Sequence, residues 1–305
     1  MREHLTPNAC GPLAENLLES VERFRSWGIR VPDSSRLIRS AQVLLQVHEA
    51  GVYPVAEQRL IEIGRALQDA HDFRYIGACM PPDRLDPIAL DLQEAVGGTR
   101  VDYEESRAPY QFQVQYLVGA ILGFGDVTPI TPIASDKSYP DFYFQNGTLW
   151  YGVEVKRPAS VKGAPRLLNK AARQLSKLRL HSGVVVMDLS ECVSNTVEFV
   201  RSGSSANRNL EGELETRAEY LEDIVWSEPQ RRRRAGFENV GVLLTVARAM
   251  VWNMDDLSHP FLQQRCRFAT FNDHSGNNLL RIRNRWLVDT FYRGLQAAGY
   301  EVAPN

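Results

Sequence analysis

Cysteine, histidine and lysine are all scarce in this 305-residue chain, and each scarcity excludes something. The four cysteines (Cys10, Cys79, Cys192, Cys266) are far apart and form no Cys-x-x-Cys pair, so neither a zinc ribbon nor a disulfide framework is expected, and they read as reduced thiols. The six histidines show no metal-ligand spacing; His48 and His71 sit in helical stretches and read as structural, so zinc is not expected. No apolar run approaches the roughly 20 residues that a membrane-spanning helix needs. The opening Met1-Arg2-Glu3-His4 lacks the apolar stretch of a signal peptide. The expectation is a soluble cytoplasmic protein with no membrane partner. Internal repeats and low-complexity tracts are absent as well.

What is present is an ordinary hydrophobic content of 44% and a net charge of -2 that hides a strong asymmetry. Between Asp83 and Glu105 the chain carries Asp83, Asp86, Asp91, Glu94, Asp102, Glu104 and Glu105 against only Arg84 and Arg100. From Val155 to Met187 the sign reverses: Lys156, Arg157, Lys162, Arg166, Lys170, Arg173, Lys177 and Arg179 occur with no acid among them. All five lysines fall between Lys137 and Lys177, while every other basic residue is arginine. Lysine offers a compact charge whose pKa burial can move, and arginine a permanently charged fork. A lysine in an arginine-rich chain therefore invites a specific reason.

The pattern along the chain predicts a helical N-terminal region over 1–104 and an α/β domain with a helical C-terminal extension over 105–305. Ser34-Ser35 caps a helix through about Ala50, and Pro54 opens another to about His71. Pro81-Pro82 breaks the pattern, and a short helix from Pro87 to Val96 stops at Gly97-Gly98. Phe112, Tyr116, Leu117, Ala120 and Ile121 mark a helix closed by Gly123-Phe124-Gly125, followed by a strand near Val127 to Ile133. Tyr139 to Phe144 and Leu149 to Lys156 read as two strands joined at Asn146-Gly147, a strong hairpin signal. Leu167, Leu168, Ala171, Ala172, Leu175 and Leu178 form the stripe of the next helix, and Gly183 to Met187 a buried strand. Beyond Ser190 come a loop at Ser202 to Ser205, a polar helix around Leu210 to Val225, Arg231 to Arg234, a strand at Val240 to Val246 and a helix from Leu280 to Ala298. The order from Pro109 is helix, three strands, helix, strand.

Hydrolysing a phosphodiester requires neutralisation of the phosphate charge and a source of hydroxide near neutral pH, which bound Mg²⁺ supplies. Asp141 and Glu154 on partner strands offer two hard oxygen ligands, and the Val155 carbonyl a third. Lys156 lies two residues after Glu154, so the strand period puts both on one face and an ammonium beside the metal. There it serves the attacking water and offsets charge on the phosphorane. The bland alternative is a turn aspartate with a solvated Glu-x-Lys stripe on an edge strand. Arg166, Lys170, Arg173 and Lys177 recur at spacings of four, three and four, and with Arg157 and Lys162 they suit a phosphate backbone, contacts that position nucleic acid without reading its sequence. A solvated helix face explains the same spacing equally simply. Arg231 to Arg234 invites the same two readings.

Pro140-Asp141 followed by Glu154-Val155-Lys156 in the second strand of a hairpin resembles the PD-(D/E)xK nuclease superfamily. Pro32-Asp33 and Pro82-Asp83 have no acid-x-Lys at useful spacing. The resemblance covers roughly Pro109 to Ser190 and implies a restriction-endonuclease-like core. It further implies Mg²⁺ or Mn²⁺ at Asp141 and Glu154, with Lys156 serving the nucleophile. Two departures stand out. Where many relatives carry a helix carboxylate this chain has glutamine, Gln113 being the matching position, so that Gln113 orients a water or Glu104 or Glu105 substitutes. Gln174 stands where some relatives have Gln-x-x-x-Tyr, but Leu178 replaces the tyrosine; Gln174 is a further candidate contact to nucleic acid. The implied activity is a nuclease acting on DNA, in restriction or phage defence, with a homodimer favoured if both strands are cut. The alternatives are a nucleic-acid-binding module that keeps the fold without catalysis, and an α/β protein unrelated to nucleic acid.

Overall fold

In the computed structural model the described residues are 5–79, 95–96, 113, 117–123, 125, 127, 139–193, 197–200, 206–226, 237–271 and 278–302. They divide into two units built from separated stretches of chain: 1–120, 194–206 and 248–263 in the first, and 121–193, 207–247 and 264–305 in the second. The helical region expected over 1–104 lies in the first unit, which also includes the two later segments.

The first unit is led by three helices, α1 (Cys10–Ser26), α2 (Arg36–Ala50) and α3 (Glu57–Cys79). α1 buries Cys10, Ala14, Leu17, Val21 and Phe24, alternating steps of four and three that keep one face apolar. Ser35 caps α2 as expected: its hydroxyl accepts from the Ile38 N–H at 3.5 Å, satisfying a donor of the first turn. Gly51, at φ +66°, ends it in the left-handed conformation that glycine adopts without strain. α3 runs past the expected end at His71 because its stripe of Leu60, Ile63, Leu67 and Ala70 continues through Phe73 and Ile76, all buried. Phe24 and Phe73 meet edge-on with ring centroids 5.9 Å apart. Strand β4 (Val197–Val200) pairs in parallel with the far end of β5 (Val240–Asn253), Val197 opposite Met250. A Cβ on Gly64 of α3 would lie 2.9 Å from Val197, so this glycine permits the close approach of helix to strand.

The strands follow one another in the mixed-sheet order β1-β2-β3-β5-β6-β7, with β1 Phe142–Asn146, β2 Leu149–Lys156, β3 Ser182–Asp188, β6 Asp256–Thr270 and β7 Glu301–Val302; the second unit holds β1 to β3, β7, and residues 240–247 of β5 and 264–270 of β6. β1 is antiparallel to β2, and β3 runs parallel to both β2 and the first half of β5. Between β2 and β3 the chain crosses over through α4 (Ala164–Leu175), as a parallel pair requires. Further along the chain come α5 (Ser190–Val193), α6 (Ala206–Trp226) and α7 (Asn278–Ala297). Gly152 and Gly183 face each other in the β2–β3 register, and a Cβ on either would lie within 3 Å of Leu175. Their bare surface lets α4 lie close on that side of the sheet. On the other side Trp286 of α7 packs on Tyr151 and Phe144, with centroids 5.1 and 6.0 Å away. β2 is thus an interior strand, covered on both faces.

The hairpin differs by one residue from its expectation. Asn146 pairs with Leu149, so the two loop residues are Gly147 and Thr148, and Gly147 takes the positive φ of +58° that a tight hairpin turn demands at its first position. The strand expected at Val240 to Val246 continues to Asn253, and β6 is a strand beyond those the sequence pattern predicts. The helix expected before residue 123 is seen at 113 and 117–123, and the short one before Gly97 at 95–96. The strand expected over Val127 to Ile133, apart from Val127, and the segments Ser202 to Ser205 and Arg231 to Arg234 lie outside the described residues. Among the described residues no helix is long and apolar enough to cross a membrane. The fold class is mixed α/β with a mixed sheet.

Candidate metal and nucleic-acid site

Continuing the register Phe142–Val153 by one step sets Asp141 opposite Glu154. The two residues are tied reciprocally. The Asp141 N–H donates to Glu154 Oε2 at 3.0 Å, and the Val155 N–H donates to Asp141 Oδ2 at 2.7 Å. Each carboxylate is oriented by the backbone of the opposite strand, and bonds from N–H to an ionised acceptor are among the stronger hydrogen bonds. The Lys156 ammonium donates to Glu154 Oε1 and, at 3.3 Å, to the Val155 carbonyl. Glu154 is fully buried and the Lys156 side chain 12% exposed, which removes the solvated edge-strand arrangement from consideration.

Those oxygens converge on a positive charge. Glu154 and the Val155 carbonyl, two of the three expected metal ligands, already meet at the Lys156 ammonium, which stands in for a cation there. Two carboxylates and a carbonyl are hard donors of the kind Mg²⁺ and Mn²⁺ accept, with water and phosphate completing the set. The residues fit such an ion. Among the described residues no third acid or histidine joins them, and Glu104 and Glu105 fall outside that set. Burial pushes the Lys156 ammonium below the ordinary lysine value of 10.5, Asp141 opposes the shift, and the neighbouring Lys170 adds to it.

Gln174 is buried, and its amide donates to the Tyr139 carbonyl at 3.0 Å, two residues before Asp141. It holds the approach to Asp141 rather than a solvent-facing position. Arg157 is also turned inward. Its side chain is 6% exposed, with Nε 3.4 Å from Glu191 and 3.7 Å from Asp188, so the nucleic-acid contact expected of it gives way to an internal strap between β2 and the end of β3. Lys162, Arg166, Lys170 and Arg173 are exposed, with Lys177 and Arg179 exposed in the turn after α4, where the helix has ended earlier than the spacing implied. The α4 stripe of Leu168, Ala171, Ala172 and Leu175 is buried, so the cations occupy the face the sheet does not cover.

The structure places Gln113 in the first unit, within a buried polar network. Its Oε1 accepts from Arg36 at 2.8 Å, and its Nε2 donates to Asp72 at 2.7 Å and to Asp69 at 3.3 Å. Arg36 pairs with Asp69, Ser40 donates to Asp69, and Arg248 grips both oxygens of Asp72 at 2.6 and 2.7 Å. With both ends of its amide engaged there, Gln113 acts as a connector of buried charges, and the catalytic role expected of it is not retained. The network's sequence signal is Asp69 and Asp72 lying within the apolar stripe of α3, a place where an acid must find a partner.

No protein-family model, no curated protein and no solved structure matches this chain.

Proposed function

We propose that this chain is a metal-dependent nuclease that hydrolyses phosphodiester bonds, DNA being the first substrate to try, and that its second unit has the restriction-endonuclease-like core of the PD-(D/E)xK enzymes its motif resembles. The observation that carries the reading is the knot of Asp141, Glu154 and Lys156. Two carboxylates, each aimed by a backbone N–H of the opposite strand, share an interior strand face with a buried lysine. A divalent ion held by Asp141, Glu154 and the Val155 carbonyl would neutralise phosphate charge and make water acidic enough to attack.

The chain's own residues do the rest. Lys156 Nζ orients the attacking water or takes its proton, a role aided by a pKa that burial has lowered, and in its charged form it offsets the extra negative charge of the phosphorane. Gln174 holds Tyr139, and through it the start of β1, against α4. Arg166, Lys170 and Arg173 on the open face of α4, with Lys162 before it and Lys177 after it, hold the phosphate backbone, a sequence-independent attraction that salt screens. A second reading, a nucleic-acid-binding module without catalysis, is favoured by one observation: only two carboxylates meet at the centre among the described residues.

The test offers supercoiled plasmid, linear duplex, single-stranded DNA and RNA to the wild type, Asp141→Ala and Lys156→Ala proteins with Mg²⁺, Mn²⁺ or chelator. Metal-dependent cutting that both variants lose supports the nuclease. Salt-sensitive binding with no cutting by any form selects the module, and absence of both cutting and binding removes both readings.

A further inference from the structure

The exposed cations of the α4 region lead away from the catalytic knot toward a different chemistry. α4 returns the chain from the end of β2 to the start of β3, so its row of charges begins beside Lys156 and finishes at the hairpin end of the sheet. Two contacts anchor that far end. Leu180 lies over Gly152, and His181 bonds both ways with Trp150: its backbone N–H donates to the Trp150 carbonyl at 2.8 Å, and its Nδ1 accepts from the Trp150 N–H at 2.9 Å. Exposed Lys177 and Arg179 lie four and two residues before His181 in the same connection.

Trp150 and Tyr143 share the sheet face of Glu154 and Lys156, since side chains alternate along β2 and Tyr143 is the register partner of Gly152. Their rings form a diagonal cross-strand pair, with centroids 5.6 Å apart and planes tilted by 46°, and both are only half-buried. Across an interior this would be ordinary packing; at the rim it leaves part of the aromatic surface open, with two exposed cations in the connection that His181 ties to Trp150. None of Lys162, Arg166, Lys170, Arg173, Lys177 or Arg179 has an ion-pair partner among the described residues. Half-buried aromatics followed by exposed cations suit unpaired bases, because stacking needs an open base face, which a duplex hides, while the cations take the phosphates.

We propose that Trp150 and Tyr143, with Lys177 and Arg179 beside them, form a stacking subsite for the bases of a single-stranded nucleic-acid segment. This rests on the nuclease reading above and narrows its substrate to nucleic acid with an unpaired stretch, such as a free strand or a flap. Six residue steps along β2 separate Trp150 from Lys156, about 20 Å at the rise of a strand. That is about six nucleotides of a stacked strand between the subsite and the scissile phosphate.

The experiment measures fluorescence anisotropy of labelled single-stranded DNA, single-stranded RNA and blunt duplex DNA with the full chain in chelator, which prevents cutting. The proteins are wild type, Trp150→Ala, Trp150→Phe and the double variant Lys170→Ala/Arg173→Ala. Loss of one stacked base predicts roughly 5- to 150-fold weaker single-strand binding for Trp150→Ala, with duplex binding changed less than twofold. Trp150→Phe keeps a ring and should retain most of the affinity, which a merely structural defect would not explain. DNA and RNA arms that respond alike indicate base stacking without sugar discrimination, and a response in one arm names the substrate; either result supports the subsite. Single-strand binding unchanged in Trp150→Ala, or lost equally from strand and duplex, overturns the subsite. If the double variant still weakens duplex binding in that case, the nuclease reading survives. If wild type binds no nucleic acid at all, both fall.

Discussion

Removing the Lys156 ammonium strands a fully buried carboxylate, and the consequence is calculable. Glu154 would keep only the Asp141 N–H as a donor among the bonds described above, while its charge stays in the interior. Breaking a buried pair from one side costs about 3–5 kcal/mol, and the 12% exposure of Lys156 points to the lower end of that range. For a unit of about 150 residues each kcal/mol shifts Tm by about 2–4 °C, so Lys156→Ala should lower Tm by about 6–12 °C in chelator. Two additions should reverse the loss. Glu154→Gln in the same background removes the charge that lacks a partner and should recover most of the stability, a coupling that a double-mutant cycle reads directly. Mg²⁺ or Mn²⁺ at a hundredfold excess over its Kd should restore about 2.7 kcal/mol by mass action. The variant should gain more from the ion than the wild type does, because the wild-type ammonium competes for the same oxygens. The assay is differential scanning calorimetry of wild type, both single variants and the double variant, each with metal and with chelator. A Lys156→Ala protein that loses less than about 1 kcal/mol and gains no more from metal than wild type would refute the reasoning, since these oxygens then would not form a cation site.

Three further outcomes are expected. Gly152→Ala places a Cβ 2.5 Å from Leu180 and 2.9 Å from Leu175, so overpacking should cost about 1–3 kcal/mol, read from the shift in denaturant midpoint. Burial alone would raise the Asp72 pKa, but Arg248 and then His71 hold its carboxyl well below the usual carboxylate range. A folded pKa below the unfolded one contributes stability that is present above pH 3.8 and lost as pH falls further, so the acid limb of instability should be steeper in wild type than in Asp72→Asn, measured as urea midpoints from pH 5 downward. Arg157 and Arg173 should separate cleanly: Arg157→Ala destabilises the fold by removing the internal strap to Asp188 and Glu191, whereas Arg173→Ala leaves Tm unchanged and lowers the salt slope of nucleic-acid binding by about one. Equal Tm losses for the two, or an unaltered salt slope for Arg173→Ala, would contradict the assignment.

Local chemistry made much of this molecule readable in advance. The Ser35 cap needs only a hydroxyl at the right offset, the buried stripes of α1 and α4 follow helical period, and the shared face of Glu154 and Lys156 follows from the alternation of any strand. β6 escaped notice because its buried Cys266 and Phe268 alternate with Arg265 and Arg267 behind Pro260, a pattern that becomes a strand only when β5 lies beside it. Gln113, Arg157 and Gln174 are all candidates for the site on local sequence, yet each buries its side chain against partners more than 30 residues away in the chain. Whether a long polar side chain faces solvent or an internal partner is settled by neighbours that the local sequence does not name.

The sequence by itself determined that one strand would carry an acid and a lysine on a common face, that a hairpin would bring a second acid to its neighbour, and that a basic amphipathic helix would follow. Those properties depend on periodicity, turn chemistry and composition, which act over a few residues. Tertiary structure decided the register. With Asn146-Gly147 as the loop, Asp141 would stand opposite Gly152; with Gly147-Thr148, as found, it stands opposite Glu154, and a single-residue shift of the turn moves the pairing by two. It also decided that β2 would lie inside the sheet, because that depends on β3 arriving from beyond the α4 crossover, and only there does Glu154 lose its water and depend on Lys156 for charge.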